Sequence, residues 1–161
     1  MTTTPLPSAQ EVRELLEGLV GREFEMLTGG PMVNPAAEGG AVVAEYVSDE
    51  MKLAALITVD LPLAAGMGSA IALLPPRGVS ESIEALELSI PQFENVSEIL
   101  NVMAALFNHD GAPHLKLTKV HEPGAALPGD VAPWVTAYVA RLDLEVTVAG
   151  YGEGTMSVIV L

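Results

Sequence analysis

Residues 91–108 read Pro91-Gln92-Phe93-Glu94-Asn95-Val96-Ser97-Glu98-Ile99-Leu100-Asn101-Val102-Met103-Ala104-Ala105-Leu106-Phe107-Asn108, the most regular stretch of the chain. Phe93, Val96, Leu100, Met103 and Phe107 recur at intervals of three and four, the spacing of one buried helix face. Glu94, Glu98, Asn101, Ala105 and Asn108 form a second stripe at the same spacing, rotated away from the first. Proline is tolerated in the first helical turn, where its missing N–H has no partner to lose. The polar run Asn108-His109-Asp110-Gly111 closes the element. The pattern predicts a helix from Pro91 to Asn108 with one face on a core and an ordered polar face opposite.

Sheet signals lie on both sides of it. Downstream, strands are predicted over Leu115 to His121, Val135 to Ala149 and Thr155 to Leu161. Leu142, Leu144, Val146 and Val148 alternate with Asp143, Glu145, Thr147 and Ala149, the period of two that marks a sheet with one wet face. Gly150-Tyr151-Gly152-Glu153-Gly154 supplies the hairpin connection. Upstream, Ser8-Ala9-Gln10-Glu11 is a capping box opening an amphipathic helix over about residues 9–20. A strand is predicted around Arg22 to Leu27, then a Gly/Pro-rich loop from Gly29 to Gly40. Ala41 to Val47 and Met51 to Val59 read as strands joined at Ser48-Asp49-Glu50.

The nearly uncharged run Leu53 to Leu74 is long enough to span a bilayer, but Asp60-Leu61-Pro62 divides it. That triplet reads as a strand end followed by a helix N-cap with proline in the first turn, leaving two pieces each too short to cross a membrane. A helix over about Leu63 to Leu74 then ends at Pro75-Pro76, and Ser80 to Leu88 reads as a short helix with Ser80 as its cap. The plan is α+β: an antiparallel sheet of about six strands covered by an N-terminal helix and a central helical region, one domain over residues 1–161 without repeat or linker.

Composition narrows the chemistry. A chain of 161 residues buries about 70% of the surface its unfolded form exposes. The core is aliphatic, since aromatics make up 4% of the residues. Twenty-one acidic against seven basic residues give a net charge of −14, a field that repels nucleic acid and anionic membranes. With no cysteine, disulfides, thiolate nucleophiles and Cys-based zinc sites are excluded, and cytoplasmic residence is the expectation. Met1 to Ser8 shows no basic region followed by an apolar run, as a secretory leader would.

Asn101 invites explanation, because asparagine in a helix interior costs up to about 0.7 kcal/mol relative to alanine. Residues three apart on a helix are neighbours, so Glu98 and Asn101 can address one group of ligand atoms. A carboxamide both donates and accepts, which is what positioning a water for attack on a phosphoryl group requires. A solvated face on an acidic protein is the other reading of the same stripe. Weaker signals are set aside. The spacing of His109, His114 and His121 fits no metal motif. Gly66-Met67-Gly68 lies inside a helix and reads as close packing, and no motif marks Ser69 or Ser97 as a nucleophile. Trp134 and Tyr138 read as core or dimer-interface residues.

Glu98-x-x-Asn101, with the polar Glu94 four residues earlier and Pro123 after 21 intervening residues, resembles the signature of the CheC/CheX/FliY chemotaxis phosphatases, and the order of elements resembles CheX over almost the whole chain. The resemblance implies hydrolysis of the aspartyl phosphate of a CheY-like response regulator. In it, Asn101 orients the attacking water and Glu98 pairs with a lysine of the regulator. Glu94, Ala105, Asn108 and Pro123 fall on the partner-binding side. It further implies that no cofactor is bound by this chain, that Mg2+ is held by the regulator, and that the protein forms a homodimer. Glu94 stands where the family has Ser or Asp, and Met103-Ala104-Ala105 replaces a glycine-containing turn. The alternative is a non-catalytic dimeric module of the same fold that binds a protein partner in signalling.

Overall fold

The computed structural model describes residues 4–161; Met1 to Thr3, which belong to the stretch read for a leader, lie outside the described residues. Six strands form one antiparallel sheet: β1 (Phe24–Thr28), β2 (Ala41–Val47), β3 (Leu53–Asp60), β4 (Lys116–His121), β5 (Ala140–Val148) and β6 (Gly152–Val160), in the order β1-β5-β6-β3-β2-β4. The helices are α1 (Ala9–Val20), α2 (Leu61–Ala70), α3 (Arg77–Ala85) and α4 (Ile90–Val102). The α+β plan and its six strands are as the sequence predicts. Among the described residues, no helix is long and apolar enough to cross a membrane.

One face of the sheet carries the main core. Leu144, Val146 and Val148 of β5 pack with Val42, Ala44 and Tyr46 of β2 and Ala55, Ile57 and Val59 of β3 against Val12 and Leu16 of α1 and Val96, Leu100 and Met103 of the α4 region. α2 runs through this core with nearly every residue buried, which is why its sequence is apolar all round. Its start is as read: the Asp60 side chain accepts the Leu63 N–H at 3.0 Å and its other oxygen accepts the Thr155 N–H and hydroxyl at 3.0 and 2.8 Å.

The opposite face is drier than the alternation in β5 suggests. Val43, Leu56 and Ile159 are covered by Val131 and Val135 from the connection between β4 and β5. Arg141 holds that cover down. Its guanidinium donates to Asp143 at 2.9–3.1 Å, to the Ala137 carbonyl at 2.9 Å and to the Val135 carbonyl at 3.3 Å. Asp143 also accepts from Ser157 Oγ at 2.7 Å, and that hydroxyl in turn accepts the Val33 N–H at 3.1 Å, tying in the loop before β2. Beside Ser157 in the register, the Thr58 hydroxyl is buried without a partner among the described residues. Because an unsatisfied buried hydroxyl costs about 1–3 kcal/mol, Thr58→Val is expected to stabilise the fold by about 1 kcal/mol in urea unfolding. A loss of stability would contradict the assignment of that hydroxyl as unpaired.

Several element boundaries differ from the sequence reading. α2 ends at Ala70 rather than Leu74, because the chain turns out through Leu73, whose φ is 54°, with Leu74 N–H bonded to the Ser69 carbonyl. This is the wrapped helix exit usually made by glycine. α3 begins at Arg77, after Pro76, and Ser80 is interior to it rather than its cap. β5 begins at Ala140, not Val135, because Pro133 and Trp134 lie in a short 3-10 turn and Arg141 captures the following carbonyls. Tyr138, read as core or interface, is 95% exposed and Trp134 39%, so neither is a core residue of this chain.

Candidate functional site

α4 is fixed at both ends and along one side before any of its exposed residues come into play. Ser89 caps it: Ser89 Oγ accepts the Gln92 N–H at 3.2 Å and Gln92 Oε1 accepts the Ser89 N–H at 2.8 Å. Gln92 is itself buried, and its carboxamide also bonds Ser82, Ser69 and the Gly78 carbonyl, joining α2, α3 and α4. Asn95 donates to the Gly68 carbonyl at 2.8 Å. The crossing of α2 and α4 is close enough that a Cβ on Gly68 would lie 3.1 Å from Gln92 Cα and nearer still to its carbonyl oxygen.

At the other end the buried Tyr46 hydroxyl donates to the Leu100 carbonyl at 2.6 Å, and its ring meets Phe107 at 5.2 Å between centroids. Here the predicted single helix divides, with α4 ending at Val102 and a 3-10 turn running over Met103–Phe107. The tightening begins just beyond the carbonyl that Tyr46 holds. Tyr46 thus sets the position of the backbone that carries Asn101, and nothing in the strand pattern of residues 41–47 marks it. Burial raises its phenol pKa well above the ordinary value, so the hydroxyl remains a donor. Tyr46→Phe is expected to cost about 1 kcal/mol. The unfolded chain ionises this phenol above pH about 10 and the folded one resists, so stability falls as pH rises there. The variant removes that share of the slope in an alkaline unfolding series.

The apolar stripe faces inward as predicted, with Val96, Leu100, Met103 and Phe107 fully buried and Phe93 half-buried. Glu94, Glu98, Asn101, Ala105 and Asn108 are all exposed. At 1.5 Å rise per residue, Glu94 and Asn101 stand about 10 Å apart along the axis, with Glu98 between them. The three asparagines of the segment differ in a telling way. Asn95 is bonded to α2, and the Asn108 carboxamide both donates to the Leu115 carbonyl at 3.1 Å and accepts its N–H at 2.8 Å, ordering the turn into β4. The Asn101 side chain makes no hydrogen bond among the described residues, and neither Glu94 nor Glu98 has an ion-pair partner.

Pro123 reaches the N-terminal half of this face. His121 Nε2 is 2.5 Å from Glu45 Oε2, pinning the end of β4 to β2, and the chain then passes over Gly40. A side chain there would collide with the Gly124 nitrogen at 2.7 Å, and φ at Gly40 is +67°, so glycine is required. The result is a groove of about 570 Å³ in which Pro123 and Glu94 face Leu88, Ile90 and Phe93, rimmed by Glu87 and Glu122. Of the site residues read from sequence, Glu94 and Pro123 share this groove, Glu98 and Asn101 continue from it along the ridge of α4, Ala105 follows in the 3-10 turn, and Asn108 is engaged by its own chain. The histidines are dispersed, paired separately with Glu11, Asp49 and Glu45. Among the described residues, no group of three or more His, Asp or Glu is close enough to hold a metal ion.

No protein-family model matches this chain, and no curated protein matches it in sequence. Crystal structures do match. FliY from Thermotoga maritima superposes with a TM-score of 0.58 at 17% identity, over 92% of this chain and 81% of that one. The FliM middle domain from H. pylori gives 0.55 at 10% identity, over 94% and 84%. The CheX–CheY–BeF3–Mg2+ complex from Borrelia burgdorferi gives 0.50 at 13% identity, over 91% and 90%. The chain has the fold that FliM, FliY and CheX share. The likeness does not single out CheX, since FliY and FliM superpose with higher scores.

Proposed function

We propose that this chain is a signalling module that docks on a CheY-like response regulator through the exposed face of α4. The observation that carries this reading is the line of polar residues Glu94, Glu98 and Asn101, exposed along a helix whose other face is locked into the core, with exposed Ala105 following in the 3-10 turn. The fold supports it, because the complex from Borrelia burgdorferi pairs CheX with CheY. A panel of the host's response regulators, each with and without beryllofluoride and Mg2+, tests it by titration calorimetry. A partner that binds the native chain and binds Glu98→Lys at least tenfold more weakly supports the reading; absence of binding across the panel overturns it.

A second reading, hydrolysis of the regulator's aspartyl phosphate, is favoured by one specific contrast: Asn95 and Asn108 have structural partners and the Asn101 side chain has none among the described residues. In this mechanism the Asn101 carboxamide accepts from a water and donates to a phosphoryl oxygen, aligning the water for in-line attack. The new bond forms between water oxygen and phosphorus, the bond to the aspartyl oxygen breaks, and inorganic phosphate and a free carboxylate result. Glu98 holds a lysine of the regulator, fixing the approach. Mg2+ held by the regulator neutralises phosphoryl oxygens. An acyl phosphate is already activated, so positioning alone supplies the acceleration.

A further inference from the structure

The groove beside α4 carries more information than the stripe it adjoins. Its floor is apolar, built from Leu88, Phe93 and Pro123, and its edge is Ile90, which is 75% exposed in the first helical turn. Isoleucine has no propensity advantage there, and a carboxylate or small polar residue suits the first turn better. Singly exposed apolar residues are ordinary, but this one borders a groove whose lining mixes apolar side chains with Ser89 and three carboxylates. Around that floor stand Glu87, Glu94 and Glu122, all exposed and without ion-pair partners among the described residues. No Lys, Arg or His lines the groove.

Half-buried apolar side chains set among exposed carboxylates are complementary to a side chain with an aliphatic stem and a cationic head. We infer that this groove receives a basic, aliphatic segment of a protein partner, a lysine or arginine flanked by leucine, isoleucine or valine. Charge decides against the other occupants. A second copy brings its own net charge of −14, and nucleic acid or anionic lipid is repelled. Glu94 belongs to both the groove and the α4 stripe, so the inference deepens the docking reading by adding a second contact, and it does not depend on any chemistry at Asn101.

The test uses 15N-labelled full chain and three synthetic twelve-residue peptides, one alternating Lys and Leu, one alternating Lys and Ser, and one alternating Glu and Leu. The Lys/Leu peptide is expected to shift the amides of residues 87–90, 92–94, 122 and 124. The Lys/Ser peptide is expected to bind at least tenfold more weakly, and the Glu/Leu peptide not at all. The triple variant Glu87→Gln, Glu94→Gln, Glu122→Gln is expected to weaken Lys/Leu binding at least tenfold, whereas Glu14→Gln, Glu50→Gln, Glu153→Gln, which removes the same charge elsewhere, changes it less than twofold. Equal binding of the two Lys peptides, an equal loss in the two triple variants, or shifts centred elsewhere would overturn the inference. Because the readout is binding, failure here leaves an Asn101-dependent phosphatase assay untouched.

Discussion

If the chain hydrolyses the regulator's aspartyl phosphate, alanine in place of Asn101 is expected to leave the fold intact and abolish that activity. The acceleration of phosphate release should fall by on the order of 100-fold or more, the loss seen when one preorganised hydrogen-bonding group is removed from a site that works by positioning. Stability should move the other way. Asn101 is exposed and its side chain has no partner among the described residues, so alanine removes no contact and improves helix propensity by up to about 0.7 kcal/mol. Opposite signs in two assays on one variant separate a working residue from a structural one. A drop in thermal midpoint would place Asn101 with Asn95 and Asn108. Unchanged phosphate release, with partner binding intact, would leave the docking module and remove the phosphatase.

Gly68→Ala is expected to do the reverse, leaving every exposed residue of α4 in place while destabilising the fold by about 3 kcal/mol. In an isolated helix this substitution gains about 1 kcal/mol. Here the new methyl would press on the Gln92 backbone, which cannot yield as a flexible side chain would. The helices must part, and with them the Asn95 bond to the Gly68 carbonyl and the Gln92 bond to Ser69. Overpacking of a close crossing costs about 1–3 kcal/mol, and two strained buried hydrogen bonds add to it. Equilibrium denaturation in urea reads the sum; a stabilised variant would contradict the close approach of α2 and α4. Loss of regulator binding alongside the loss of stability would follow from displacement of α4.

Much of this fold is legible in the sequence because its signals are local. The Ser8/Glu11 capping box, the Asp60 N-cap and the alternation in 142–148 each act within a few residues; the two caps are present as read, and the alternation holds over 144–148 although the face it marks as wet is partly covered. The stripe of α4 is legible for the same reason: its periodicity fixes which residues share a face. What escaped depends on contacts distant in sequence. Tyr46 lies 54 residues from the Leu100 carbonyl it holds, and Arg141 delays the start of β5 by bonding carbonyls that an extended strand would direct elsewhere. The αL leucines at 73 and 86 terminate helices where glycine would have announced the exit. Ser89 and Gln92 form a capping box visible in the sequence, and reading it would have placed the helix start at Ile90 and drawn attention to that residue's exposure. The groove had no local signal, since Pro123 reaches Glu94 only through the passage over Gly40.

The most direct measurement of the central claim is a titration of the 15N-labelled chain with CheY-like regulators of its host, each activated by beryllofluoride and Mg2+. The account predicts that one of them shifts the amides of Glu94, Glu98, Asn101, Val102 and Ala105 while β1 and the exposed turn at Tyr138 stay unchanged. Binding that maps to the β1 edge or to Tyr138, with the α4 resonances unmoved, would contradict it.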